Sequence, residues 1–192
     1  MNSVYLILDM ENDLVNEHGA NANTPLGDQV KARAIVQRTA QAIAKARAAG
    51  VLIGYVRVGF SPDYRECPGQ SPLFGLAKKN GLFKLGSWGT DVHPDIAPKE
   101  GDLMIIKHRV SPFYSTTLEA QLRAQRVTRI YCSGVSSQAV VQATVRDAHD
   151  RDYEVVVLED CCAAHSAEEH KNSMASISRF CTIVSSKDLA FS

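Results

Sequence analysis

The sequence predicts an α/β protein built on a doubly wound, mostly parallel six-stranded sheet with helices on both faces. Three observations carry that prediction. Six short runs are apolar and β-branched without strict alternation, as in parallel strands covered on both sides. Longer stretches with apolar residues at helical spacing lie between most of them. The resulting order, βαβ and then βαβαβαβ, implies right-handed crossovers within one open sheet.

The elements follow in order. VYLIL (4–8) is the first strand. A helix is expected from about Asp28 to Ala49, where Val30, Ala34, Ile35, Ala42, Ile43 and Ala46 recur near helical spacing. Asp28 can cap its start and Gly50 its end. VLIGYVRV (51–58) is the second strand and LMIIK (103–107) the third. Between them, residues 59–100 break the rhythm. They hold five of the seven prolines, six of the twelve glycines and the only tryptophan, Trp88. Such an insertion reads as a functional loop or an interface. A helix at 116–125 leads to the strand RIYCS (129–133), and a helix at 137–151 leads to YEVVVLE (153–159). The last helix, 168–178, is announced by Ser166 and Glu169 as a capping box and is followed by CTIVSS (181–186). No internal repeat or second domain is visible. Residues 1–192 read as one domain with an irregular insertion at about 59–100.

Composition narrows the partners. Lys+Arg and Asp+Glu both total 21, which leaves no global field for nucleic acid or an anionic membrane. The chain is 45% hydrophobic and 22% charged, enough for a packed core. Its apolar runs are too short for a transmembrane helix. MNSVYLILDMEND lacks a basic leader and reads as a buried strand, not a signal peptide. Five cysteines with no CxxC argue against a disulfide framework and for a reduced, cytoplasmic setting.

Ligands of doubly wound sheets bind beyond the carboxyl ends of the strands. That rule selects Asp9, Lys107, the stretch Ser133 to Val140, and Glu159 with Asp160. Asp9 follows LIL and enters a dry environment, where a lone carboxylate needs a cation. Lys107 is the natural partner. The pair is either a structural ion pair or a proton-transfer carboxylate with a lysine that tunes it. GVSSQ is not a GxSxG nucleophile elbow, because Gln138 replaces the second glycine. Ser136 and Ser137 suit helix capping, and the helix N-terminus offers free N–H donors to an oxyanion. No HExxH, GxGxxG or GxxxxGK[ST] occurs, so neither metal nor cofactor is expected. Cys161 and Cys162 read as packing residues.

Several blocks together resemble the isochorismatase-like hydrolases of the cysteine hydrolase superfamily. LDMENDLV resembles that family's DMQNDF-type opening, and IIKHRVSPFYSTTLEAQL its lysine block. SGVSSQAVVQATVRDA resembles its third block, TGVxTxxCVxxTxRDA; GSWGTDVHPDI and YEVVVLEDCCA match flanking patterns. The resemblance runs in register over nearly the whole chain. It implies an Asp–Lys–Cys triad in which Asp9 matches the aspartate and Lys107 the lysine. The cysteine position falls on Val140, which cannot be a nucleophile. A non-proline cis peptide is implied at Val135–Ser136, aiming N–H groups at the Ser136 and Val140 positions toward the substrate oxygen. Glu11 replaces the usual glutamine.

True isochorismatases also lack the cysteine and cleave a vinyl ether with water, which requires a general acid. The leading expectation is therefore a hydrolase of a small molecule, with Asp9 as general acid or base and no covalent cysteine. Trp88, Arg109, Phe113 and Ser137 are the candidate substrate contacts. Amide hydrolysis by activated water, an inactive small-molecule-binding homologue, and a magnesium-dependent phosphotransferase prompted by DMEND are the rivals. Family members commonly assemble, so a homo-oligomer is expected.

Overall fold

The computed structural model describes residues 2–192. Its six strands are β1 (Asn2–Leu8), β2 (Leu52–Val58), β3 (Leu103–Lys107), β4 (Val127–Gly134), β5 (Glu154–Leu158) and β6 (Thr182–Val184). They form one sheet in the order β3-β2-β1-β4-β5-β6, and every neighbouring pair is parallel. The chain runs outward from β1 in one direction and returns to β4 on the other side. The crevice for a ligand therefore opens between the carboxyl ends of β1 and β4.

Alternation along β1 splits the core in two. Tyr5 and Ile7 face one side, with Val36, Ala42, Ile43 and Ala46. Val4, Leu6 and Leu8 face the other, with Leu118, Leu122, Val145, Ala148, Met174 and Ile177. The helices on the first side are α2 (Pro25–Ala32) and α3 (Ile35–Ala48); those on the second are α5 (Leu118–Ala124), α6 (Gln142–His149) and α7 (Ala167–Ile177). Each fully buried aliphatic side chain here stabilises the fold by about 1.5–3 kcal/mol.

The expected continuous helix over 28–49 is instead two helices. Ala34 takes a left-handed conformation with φ 51° and breaks the run. Arg33 explains what holds the break: its guanidinium donates to the Cys162 and Glu159 carbonyls and to the Glu159 carboxylate, all across the crevice. Thr24 caps α2 where Asp28 was expected, accepting from the Gly27 N–H, with Pro25 at the first helical position. Gly50 ends α3 with φ 72°, as the sequence suggests. The expected helix over 137–151 begins with a π-helical turn, Ser137–Val141, before becoming α-helical. Ser166 caps α7 by accepting from the Glu169 N–H at 3.1 Å.

Short elements that periodicity does not reveal flank the crevice. They are α1 (Asn12–Val15) and, in the 59–100 segment, α4 (Gly75–Asn80) with tight turns at Trp88–Thr90 and Pro94–Ile96. This segment has its own small core of Val58, Phe60, Tyr64, Phe74 and Ala77. Phe60 and Phe74 meet edge to face, with centroids 5.6 Å apart. Asp13 ties the segment to α1 by accepting from the Phe83 N–H at 3.1 Å. Among the described residues no helix is long and apolar enough to cross a membrane.

β1 and β4 come closest at Gly134. Its φ is 143°, and a Cβ there would sit 2.0 Å from the Leu8 carbonyl oxygen. That same oxygen accepts from the Val135 N–H at 3.1 Å. Gly134→Ala is expected to destabilise the protein by at least about 2 kcal/mol, through strained backbone and a clash with main chain that cannot yield. Urea unfolding of the two proteins measures this; a difference under a few tenths would mean the strand ends separate easily.

Candidate active site

Asp9 lies one residue beyond β1 with φ 53°, a left-handed conformation that aspartate tolerates better than most residues. Its N–H donates to the Val56 carbonyl at 2.8 Å, which pins the turn to β2. The carboxylate meets Lys107 with Oδ2 and Nζ 2.8 Å apart, and both side chains are buried. Lys107 ends β3, and β2 stands between β3 and β1. The lysine stem thus bridges across the top of an intervening strand, where two strand spacings amount to roughly 9–10 Å. Nζ also donates to the Arg109 carbonyl at 3.1 Å. Burial raises the Asp9 pKa above the ordinary carboxylate value, and the lysine charge pulls it back only in part.

Glu11 is fully buried, and neither of its carboxyl oxygens has a hydrogen-bond partner. Asp9 Oδ1 is likewise unpartnered. Burial pushes Glu11 well above the usual carboxylate range; the neighbouring Asp9 charge adds to that, and Lys107 and Arg57 offset it incompletely. Glu11 therefore favours its protonated form more than an ordinary carboxylate does, beside the Asp9–Lys107 pair.

The β4 end supplies the opposite wall. The Val135–Ser136 peptide is cis. The π-helical turn that follows brings Ser136, Ala139 and Val140 to a cavity of about 320 Å³, shared with Asp9 and Lys107. Val58, Leu26, Leu73, Phe74, Leu76 and Phe83 line the rest of its apolar surface. A larger hollow of about 570 Å³ shares Leu14 with it but is lined by Glu17, His18, Lys31 and His93, away from the strand ends. The smaller cavity is the one that joins β1, β3 and β4.

A sequence model of the isochorismatase domain matches residues 3–188. The chain belongs to the isochorismatase family. A ureidoacrylate amidohydrolase from Methylorubrum extorquens is 31% identical over 177 residues, covering 86% of this chain and 70% of the relative. Among solved structures, an isochorismatase family protein from Desulfovibrio vulgaris superposes with a TM-score of 0.86 at 26% identity, covering 97% of this chain and 95% of that one. The N-carbamoylsarcosine amidase from Thermoplasma acidophilum gives a TM-score of 0.79 at 26% identity over 100% of both chains. The protein is an isochorismatase-family hydrolase acting on a small molecule.

In this family member the structure brings together Asp9, Lys107, Val135, Ser136 and Val140. It does not bring the four expected substrate contacts to the cavity. Trp88 is half-exposed on its own turn, and its carbonyl accepts from Asn12. Arg109 turns its guanidinium to the Glu66 and His108 carbonyls and lines a separate cleft. Phe113 is buried against Tyr153, with the Arg151 guanidinium over its ring. Ser137 is buried behind the cavity wall. Its hydroxyl meets His170 Nδ1 at 2.8 Å, His170 Nε2 meets Glu159 at 3.2 Å, and Arg33 meets Glu159 at 3.0 Å. Burial, with the Arg33 charge, lowers the His170 pKa, so the imidazole is neutral.

Sequence reasoning missed Leu14, Asn21, Leu26, Leu73, Leu76 and His165 in the cavity wall. Leu14 sits in the LDMENDLV block but has no chemical signature of its own, and only the proline- and glycine-rich composition around Leu73 and Leu76 marked that segment. Cys132, Cys161 and Cys162 are fully buried, and burial pushes their thiols up, Cys161 to about 11. Among the described residues no group of three or more His, Cys, Asp or Glu is arranged to hold a metal ion.

Two stability experiments test this site. Lys107→Met is expected to cost about 3–5 kcal/mol in urea unfolding, because it strands a buried carboxylate. Adding Asp9→Asn should recover part of that loss; strict additivity would mean the two groups do not interact. For Glu11 the sign follows from its raised folded pKa. The stability of the wild type is full below the unfolded carboxyl value, about 4.3, and falls as pH rises toward the folded one. Glu11→Gln should therefore gain on the wild type between pH 5 and pH 8. An identical difference at both would show that Glu11 binds no extra proton in the folded state.

Proposed function

We propose that this hydrolase cleaves its small substrate without a covalent cysteine, using Asp9 as the proton-transfer group. One observation carries the reading: the cavity that holds the buried Asp9–Lys107 pair is lined by Val140 and, among the described residues, by no thiol. Covalent attack needs a nucleophile within reach of its base. General acid–base chemistry needs only a carboxyl group of suitable pKa and a water molecule.

Burial raises Asp9 toward the range where the acid form can donate, and Lys107 keeps the ionised form accessible so that the proton can return. In enol-ether cleavage, protonated Asp9 delivers its proton to the vinyl carbon. Water then adds to the adjacent carbon, and the hemiketal falls apart into a carbonyl compound and an alcohol. The Lys107 charge stabilises the carboxylate that Asp9 leaves behind. Main-chain N–H groups at the Ser136 and Val140 positions are set to polarise the substrate oxygen. Val140 fills the nucleophile position with an apolar side chain.

Amide hydrolysis is the second reading, favoured by the two amide-cleaving relatives. There ionised Asp9 takes a proton from water, the water oxygen attacks the carbonyl carbon, and the same proton passes to the departing nitrogen.

Product analysis by mass spectrometry separates the two. Isochorismate, an uncharged enol ether and a set of amides are offered to the wild type and to Asp9→Asn. Turnover should fall at least about 100-fold in the variant, the usual contribution of a general acid or base. A ketone or pyruvate supports enol-ether cleavage; ammonia or an amine supports the amide route. Substrate binding without any product from either class would sink the catalytic reading in favour of a binding protein.

A further inference from the structure

We infer that this cavity selects an uncharged small molecule with an apolar body, one that carries no carboxylate. The inference rests on reading the cavity as the catalytic site and specifies what enters it.

The argument begins with charge. Lys107 is the only lysine or arginine among the described residues that line the cavity. Its ammonium is already matched by Asp9 at 2.8 Å and by the Arg109 carbonyl at 3.1 Å. Two of its three N–H donors are taken by these partners. The imidazole on the wall, His165, has its Nδ1 against the Gln138 side-chain amide nitrogen and 3.5 Å from the Glu169 carboxylate. Arg109, the cation nearest in sequence, is turned away to the Glu66 and His108 carbonyls. A substrate carboxylate would enter a cavity that already holds Asp9, with no cation besides the paired Lys107 among its described lining residues. Such a charge is strongly disfavoured without a partner.

The remaining wall says what is accepted. Leu26, Val58, Phe74 and Phe83 form a continuous apolar surface. Leu73 and Leu76 also line it yet remain 56% and 59% exposed, which places them at its mouth. An apolar substituent would cover both. The volume, about 320 Å³, is at the small end of ligand cavities and suits a single ring or a short branched chain. Asp9, Lys107 and Ser136 come from the ends of β1, β3 and β4, where the reacting amide or enol ether belongs; Asn21 and His165 are the other polar side chains of the lining.

Two shape-matched probes test this: 4-methylbenzamide and 4-carbamoylbenzoate, which share the amide and differ in charge at the far end. Titration by ligand-observed NMR uses the wild type and Asp9→Asn, and ammonia release is followed separately. The neutral probe should bind at least about tenfold more tightly to the wild type, a gap of about 1.4 kcal/mol. Leu76→Arg should narrow or reverse that preference by supplying a cation at the mouth. Equal or tighter binding of the carboxylate, or binding of neither at millimolar concentration, overturns the inference. Selective binding without ammonia release leaves the inference standing and counts only against amide hydrolysis.

Discussion

The buried Asp9–Lys107 pair is the constraint around which the carboxyl edge is organised. Its two members come from strands that are not neighbours, so the lysine side chain must cross the end of β2, whose Val58 pairs with Lys107 and whose Val56 pairs with Leu8. Asp9 meets it by turning left-handed immediately after β1. Its N–H is held by Val56, and the Lys107 carbonyl accepts from the Gly59 N–H, so β2 fixes both partners through its own main chain. A pair this deeply buried adds little net stability compared with apolar side chains of the same size. What it does give is a carboxyl group held out of water with its pKa raised by burial.

Glu11 makes the charge balance of that edge unusual. Asp9, Glu11 and Lys107 sit together out of water, and full ionisation would leave one unmatched negative charge. The lack of any hydrogen-bond partner for either Glu11 oxygen agrees with a neutral carboxyl, since an ionised one would demand donors. The family block that this stretch resembles has a glutamine there and a cysteine at the position of Val140. This chain has an acid at the first position and an apolar side chain at the second. Among the described residues no thiol lines the crevice, and a carboxyl group with a raised pKa lies two residues from Asp9.

Much of this was legible in the sequence, and what was not has a common cause. The central strands β1, β2, β4 and β5 were readable because a strand buried on both faces leaves an apolar run, and the edge strand β3 keeps such a run although Met104 and Ile106 are exposed. Asp9 and Lys107 were readable because each ends such a run, and strand ends in this topology converge. The break at Ala34 was not, because Arg33 stabilises it through contacts with Glu159 and Cys162, far away in the chain. Nor were the cavity walls: Leu26, Leu73 and Leu76 have no residue-type signature, and their meeting depends on how an irregular segment packs. Trp88, Arg109 and Phe113 stood out for their chemistry, but a ring or a guanidinium finds partners wherever the local packing provides them, and here those partners lie elsewhere.

Ser137 shows why residue type alone misleads. The fold gives it a histidine and then a glutamate in hydrogen-bonded succession, the chemical ingredients of a nucleophilic triad. Yet its hydroxyl is buried and the cavity opens on the other side, toward Ser136 and Val140. The Ser137 N–H is occupied as well, by the Ala163 carbonyl at 2.8 Å. With Arg33 locking Glu159 from a different helix, the chain of contacts anchors the cis-peptide turn to β5, α7 and the α2–α3 break at once. A turn held from behind at this many points presents a fixed surface in front. That rigidity is what main-chain donors need if they are to favour charge developing on a substrate oxygen without reorganising. The Ser–His–Glu succession and the Asp–Lys pair therefore play different parts, one bracing the wall from behind and the other lining the cavity.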